Sequence, residues 1–126
     1  MLPDLIEIVP PGAGAPRQAT VVLPGSKSLT NRALILAALA RRPVTLTGAL
    51  WSEDTQAMAE CLRRLGFGVT VEADPAEPAN RTFIVAGAGG RIPNGGTAAQ
   101  PLELFVENAG TAARFLPPML CLGDGV

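Results

Sequence analysis

Apolar residues return at helical spacing most clearly over residues 53–65, where Met58, Cys61, Leu62 and Leu65 share one face. Ser52 precedes them as an N-cap, Glu53 and Asp54 suit the positive end of the helix dipole, and Gly66 is a natural stop. Residues 29–40 predict a second helix. Its apolar residues occupy almost every side, so it is expected to be buried all round. Short β-branched or apolar runs predict strands at 5–9, 20–23, 44–47, 67–71, 82–86 and 102–106, with a turn at 74–80. Residues 111–122 read as a third helix. Pro117 and Pro118 lie beyond its first turn and bring no N–H, so a kink or break is expected there.

Between these elements, the Pro/Gly-rich stretch 10–16 reads as a linker and 87–101 as a glycine-rich connection. From Thr20 to Gly87 the order is β-α-β-α-β-β, which predicts an α/β fold. A repeat is also visible. Residues 25–34 and 107–116 each run from a strand through a loop of small residues into a helix. Ser28 of the first copy pairs with Gly110 of the second, and Arg32 with Arg114. The chain begins the same β-loop-α unit twice.

Composition narrows the chemistry. A chain of 126 residues suits one domain or a piece of a larger protein, and nearly half its residues are apolar, enough for a core. Net charge is −1 and the ten basic residues are scattered, which argues against a nucleic-acid surface. The start Met1-Leu2-Pro3-Asp4 has no basic region before an apolar run, so no signal peptide is expected. The longest apolar run, 33–40, is too short to span a bilayer. Cys61 and Cys121 sit in helical, apolar patterns and are expected to be buried free thiols, as suits a reducing cytoplasm. Histidine is absent, which excludes a Ser-His triad and weakens any zinc site within the segment. With no tyrosine either, acid–base work falls to Asp, Glu or Lys.

Both repeated loops open a helix. A helix N-terminus offers unpaired N–H groups and partial positive charge, and small residues let an anion come close. In the first loop Lys27 adds a mobile charge, Ser28 a hydroxyl that can also cap the helix, and Arg32 a guanidinium on the same face as Ser28. Together they suit a phosphate or carboxylate. In the second, Gly110 leaves room beside the amides, and Asn108 can bond a ligand or its own loop. Each residue alone has a plainer reading: Ser28 as a cap, Lys27 as a solvated charge, Arg32 and Arg114 as surface or ion-pair residues, Glu53 and Asp54 as dipole partners. The pair of loops is what favours a site. A Walker A loop is excluded, because Ser26 and Val21 stand where it needs glycines. A dinucleotide loop at Gly87-Ala88-Gly89-Gly90 is excluded too, because Pro93 and Asn94-Gly95-Gly96 follow where a helix should start.

The run Leu23-Pro24-Gly25-Ser26-Lys27-Ser28-Leu29-Thr30-Asn31-Arg32-Ala33-Leu34 closely resembles the first signature of the 5-enolpyruvylshikimate-3-phosphate synthase family. Asn108-Ala109-Gly110-Thr111-Ala112-Ala113-Arg114 resembles the second, and Ser52-Glu53-Asp54-Thr55 a segment between them. The match runs in order over about residues 20–122. Glu107 and Phe115 depart from it, standing where the family usually has Gly and commonly has Pro.

The resemblance implies the enolpyruvyl transferase fold, two similar domains each of three β-α-β-α-β-β units, with about one and a half units present here. It implies that residues 1–19 are a strand and linker belonging to the second, C-terminal domain, and 20–126 part of the first. The implied enzyme moves the enolpyruvyl group of phosphoenolpyruvate to the 5-hydroxyl of shikimate 3-phosphate, on the way to chorismate and the aromatic amino acids. By position, Lys27, Ser28 and Arg32 would bind shikimate 3-phosphate. Lys27, with a catalytic role as well, and Gly110 would meet phosphoenolpyruvate or the herbicide glyphosate. Asn108 and Arg114 are weaker candidates for contact. No metal or organic cofactor is implied. A cytoplasmic enzyme segment is expected, inactive alone, needing the remainder of the enzyme on a longer or separate chain. The rivals are a UDP-N-acetylglucosamine enolpyruvyl transferase, against which both signatures argue, and a non-catalytic anion-binding module.

Overall fold

The computed structural model describes residues 5, 7–10, 12–14, 18 and 20–123. The first helix, α1, runs Lys27–Leu39, and its cap is Ser26 rather than Ser28: Ser26 Oγ accepts the Leu29 N–H at 3.4 Å. Strand β1 is Val44–Leu50 and helix α2 is Glu53–Arg64. Gly66, at φ +86°, ends α2 in a Schellman turn, with Phe67 N–H on Leu62 O at 3.0 Å and Gly66 N–H on Arg63 O at 2.9 Å. Strands β2, Gly68–Ala73, and β3, Asn80–Ala86, follow, and α3 is Gly110–Leu120.

The three strands form one antiparallel sheet in the order β1-β3-β2. Central β3 sets Phe83 opposite Leu46 on one side and Val71 on the other. Phe83 and Val85 are fully buried with Leu34 of α1 and Met58 and Leu62 of α2, and Ala112, Leu116 and Met119 of α3 join the same core. The β1 register slips between Leu46 and Ala49, where Gly48 takes φ +61° and the strand bulges.

Several expectations from the pattern are corrected. Helix α1 is not covered all round: Thr30, Asn31, Leu34, Ile35, Ala37 and Ala38 are buried, but Leu29 and Leu36 are 63% and 70% exposed. These two leucines lie seven residues apart, two turns along one stripe, while α2, α3 and the sheet cover the rest. Residues 20–23 form no strand, and Val21, Val22 and Leu23 stay exposed. Residues 102–106 also pair with nothing. They keep a strand's alternation nonetheless: Leu102, Leu104 and Val106 lie against the core, and Glu103, Phe105 and Glu107 face out. A strand needs a neighbour to become one, and no neighbour for either segment is among the described residues.

At 5–9 the described residues carry no strand, and Ile6 lies outside them. Much of the expected linker 10–16 and the expected boundary at residue 19 also lie outside, as do residues 124–126. Helix α3 continues through Pro117 and Pro118 without a break. The carbonyls these prolines cannot serve belong to Ala113 and Arg114, whose residues are exposed, so water can satisfy them. Cys61 and Cys121 are both free thiols, but only Cys61 is buried. Its pKa is raised, chiefly by burial and then by the neighbouring Glu60 charge, against a smaller lowering from Arg64. Among the described residues, no helix is long and apolar enough to cross a membrane.

Candidate anion site at the helix N-termini

The loop before α1 is laid flat against the end of β1. Gly25 donates its N–H to Asn80 Oδ1 at 2.7 Å, and a Cβ on Gly25 would lie 2.3 Å from Gly48 O and 2.6 Å from Leu50 N. Only glycine lets the backbones approach so closely. One residue's backbone then fixes two helices. The Leu50 N–H donates to Thr30 Oγ1 of α1 at 3.0 Å, and Thr55 Oγ1 of α2 donates to Leu50 O at 2.8 Å. Thr55 Oγ1 also accepts the Ser52 N–H at 2.9 Å, which closes the first turn of α2.

This frame places the first turn of α1 beside that of α2. Lys27 is the first residue of α1, and its Nζ lies 2.9 Å from Asp54 Oδ2 on α2. The Lys27 side chain is half exposed and that of Asp54 is 18% exposed. Ser28 is half buried beside Lys27, and Arg32 is exposed one turn on. The Arg32 guanidinium stands 5.7 Å from the centre of the Phe115 ring on α3, so Phe115 links α3 to α1. Asn31, between them, is fully buried, and neither amide atom has a hydrogen-bond partner among the described residues.

The second loop is built differently. Among the described residues no side chain caps α3; the Gly110 N–H is taken by Asn108 O at 2.9 Å, and the Thr111 and Ala112 N–H groups that follow can meet a ligand. Gly110, the first residue of the helix, is exposed, and a Cβ there would meet nothing within 4 Å. Asn108 and Arg114 are exposed on either side. Glu107 takes φ +52°, the left-handed region that glycine occupies freely. For a residue with a Cβ that conformation costs about 1–2 kcal/mol, part of which glycine's freedom in the unfolded chain cancels. Glu107→Gly is therefore expected to stabilise the fold by about 1 kcal/mol, read as a rise of roughly 4 °C or more in Tm. A lower Tm would show that the strain is absent.

The sequence candidates are thus only partly gathered. Lys27, Ser28 and Arg32 share the first two turns of α1, while Gly110, Asn108 and Arg114 surround the start of α3. Among the described residues, no hydrogen bond or ion pair joins the two sets; Arg32 over Phe115 is the link. A groove of about 510 Å³ between α2 and residues 102–107 holds none of them, being lined by Trp51, Gln56, Cys61, Phe105 and Glu107 among others. The sequence missed Asp54 as a partner of Lys27, because nothing local signals a pairing across 27 positions. What the arrangement can do is hold anions: two helix N-termini, an ammonium, two guanidinium groups and small residues suit phosphate and carboxylate.

Comparison with known proteins gives this geometry a context. The model of the family described as EPSP synthase (3-phosphoshikimate 1-carboxyvinyltransferase) matches residues 12–126. A 3-phosphoshikimate 1-carboxyvinyltransferase of Opitutus terrae is 56% identical over 115 residues, covering 91% of this chain and 24% of the relative. The protein of the same name from Nostoc punctiforme is 45% identical over 122 residues, covering 97% and 26%. That of Serratia proteamaculans is 48% identical over 105 residues, covering 83% and 22%. The chain spans about a quarter of the length of these curated relatives.

Proposed function

The chain belongs to the EPSP synthase family, and on that premise we propose that it supplies part of the substrate cleft of an enolpyruvyl transferase. The enzyme transfers the enolpyruvyl group of phosphoenolpyruvate to the 5-hydroxyl of shikimate 3-phosphate. The methylene carbon of phosphoenolpyruvate takes a proton, the hydroxyl adds to the resulting cationic carbon and loses its own proton, and phosphate leaves the tetrahedral adduct while the new methyl group gives up a proton to restore the double bond. Lys27, Ser28 and Arg32 hold shikimate 3-phosphate. Lys27 also faces phosphoenolpyruvate, which lies against Gly110, and its ammonium offsets charge on the departing phosphate. Asn108 and Arg114 shape the second loop. In the same reading, residues 20–126 are about one and a half β-α-β-α-β-β units of the first domain, and 1–19 belong to the second.

The observation that carries the reading is the position of Lys27 and Gly110, each the first residue of its helix, inside a family match over residues 12–126. The experiment is phosphate release from phosphoenolpyruvate by a full-length chain carrying this segment, with shikimate 3-phosphate or UDP-N-acetylglucosamine as acceptor. Turnover with the first and none with the second is expected. The 126-residue chain assayed alone is expected to release no phosphate, since the relatives are roughly four times as long. Preference for the UDP-sugar would overturn the assignment of substrate. Turnover by the 126 residues alone would overturn the division of the cleft.

A further inference from the structure

We propose that Asp54 is a positioning residue: it holds the Lys27 ammonium at the mouth of the anion site, and the site works poorly when that carboxylate is lost. The inference rests on the functional reading above and extends it to a residue the sequence offered only as a helix-dipole partner.

Lys27 is badly placed without help. As the first residue of α1 it carries a full positive charge at the positive end of its own helix, which repels it. Its four-carbon stem is flexible and its head strongly hydrated, so an unpartnered ammonium would swing into water. Asp54 Oδ2 at 2.9 Å is the counter-charge, and among the described residues no other carboxylate lies within ion-pair distance of Lys27. The two partners are not equal. The carboxylate is the more buried of the pair and belongs to the first turn of α2, which Thr55 ties to the Leu50 carbonyl; Thr30 ties α1 to the N–H of that same residue. Asp54 is thus the fixed partner and Lys27 the held one. An ammonium has three N–H donors, so one bond to Asp54 leaves two for a ligand.

Stability alone does not account for the pair. A half-exposed ion pair contributes little to folding, and an acid in the first turn of α2 would serve the dipole without reaching Lys27. Asp54 even opposes anion binding by simple charge, because its carboxylate weakens the local positive field. A group that harms ground-state attraction but fixes the cation's place should show itself in turnover rather than in affinity.

The test is made in the full-length enzyme. Asp54→Asn is expected to lower kcat by about tenfold to a hundredfold, with KM for phosphoenolpyruvate no higher than in the wild type. Asp54→Glu should recover part of the loss. In a Lys27→Met background, Asp54→Asn should cost nothing further, because Asp54 acts through Lys27. An unchanged kcat, a loss confined to KM, or the same loss with Lys27 already removed would each overturn the proposal. A second readout is independent of the reaction: the order parameter of Lys27 Nζ, measured by NMR on the 126-residue chain, should fall in Asp54→Asn. A Lys27 as ordered as in the wild type would overturn the proposal even if activity fell. A wild-type enzyme with no enolpyruvyl transfer, yet with Lys27 ordered through Asp54, would sink the functional reading instead.

Discussion

Replacing Lys27 by Met in the full-length enzyme is expected to cost about 2–5 kcal/mol of transition-state stabilisation, roughly 30-fold to several thousandfold in kcat/KM. The charge sits at the start of α1, where the proposed site would offer an incoming phosphate a helix N-terminus, a hydroxyl from Ser28 and a guanidinium from Arg32. In the proposed cleft, removing it takes a full charge from a place that bound substrates would close off from water. The fold should hardly notice. The Lys27 side chain is half exposed, and its pair with Asp54 has the form of surface pairs that contribute about 0–1 kcal/mol. The core residues Leu34, Met58, Leu62 and Phe83 do not depend on it. The measurement is kcat/KM together with a thermal melt. A variant that melts early, while its folded fraction keeps full activity, would make Lys27 a structural residue and remove it from the site.

Gly110→Ala is expected to separate the two substrates. The added methyl meets no atom of the chain within 4 Å, and Gly110 is absent from the glycines with positive φ. The backbone therefore accepts alanine without strain, and alanine favours the first turn of a helix over glycine. Any loss of binding must then come from the ligand. If phosphoenolpyruvate packs against the start of α3, the methyl should weaken it by about 1–3 kcal/mol, as overpacking of a filled site does. Glyphosate, if it takes the same place, should weaken in step. Shikimate 3-phosphate, which the proposed site holds through Lys27, Ser28 and Arg32, should bind as before. Titration calorimetry on the full-length enzyme gives all three affinities. Equal weakening of every ligand would mean that the loop itself had changed shape. Unchanged affinities would withdraw Gly110 from the site.

How far the chain could be read in advance varied with the kind of signal. Helix α2 and its ends were legible because cap, dipole partners, apolar stripe and terminal glycine all lie within fifteen positions. Strands β2 and β3 were legible through their short runs of β-branched and apolar residues. The segments 20–23 and 102–106 carry that same signal, and 102–106 keeps its alternation in space, yet neither is a strand. Periodicity reports what a segment would do beside a partner and says nothing about whether the partner is there. Helix α1 misled in a related way. Its all-round apolar pattern predicted cover on every side, and the stripe bearing Leu29 and Leu36 stays largely exposed. The cationic residues of the loops were legible because they cluster in sequence. Asp54 as the partner of Lys27, and Phe115 as the partner of Arg32, were not, because those contacts exist only once α1, α2 and α3 are packed together.

The backbone of Leu50 has a consequence for how the sequence can drift. The alignment of α1 and α2, and with it the distance from Lys27 to Asp54, hangs on the N–H and C=O of one residue. Those groups are the same for every amino acid except proline. The side chain at position 50 can therefore wander through evolution without disturbing the site. The constraint falls on Thr30 and Thr55, where serine keeps the hydroxyl and valine, though almost the same shape, discards it. The geometry of the charges is inherited through two hydroxyl groups that touch neither charge.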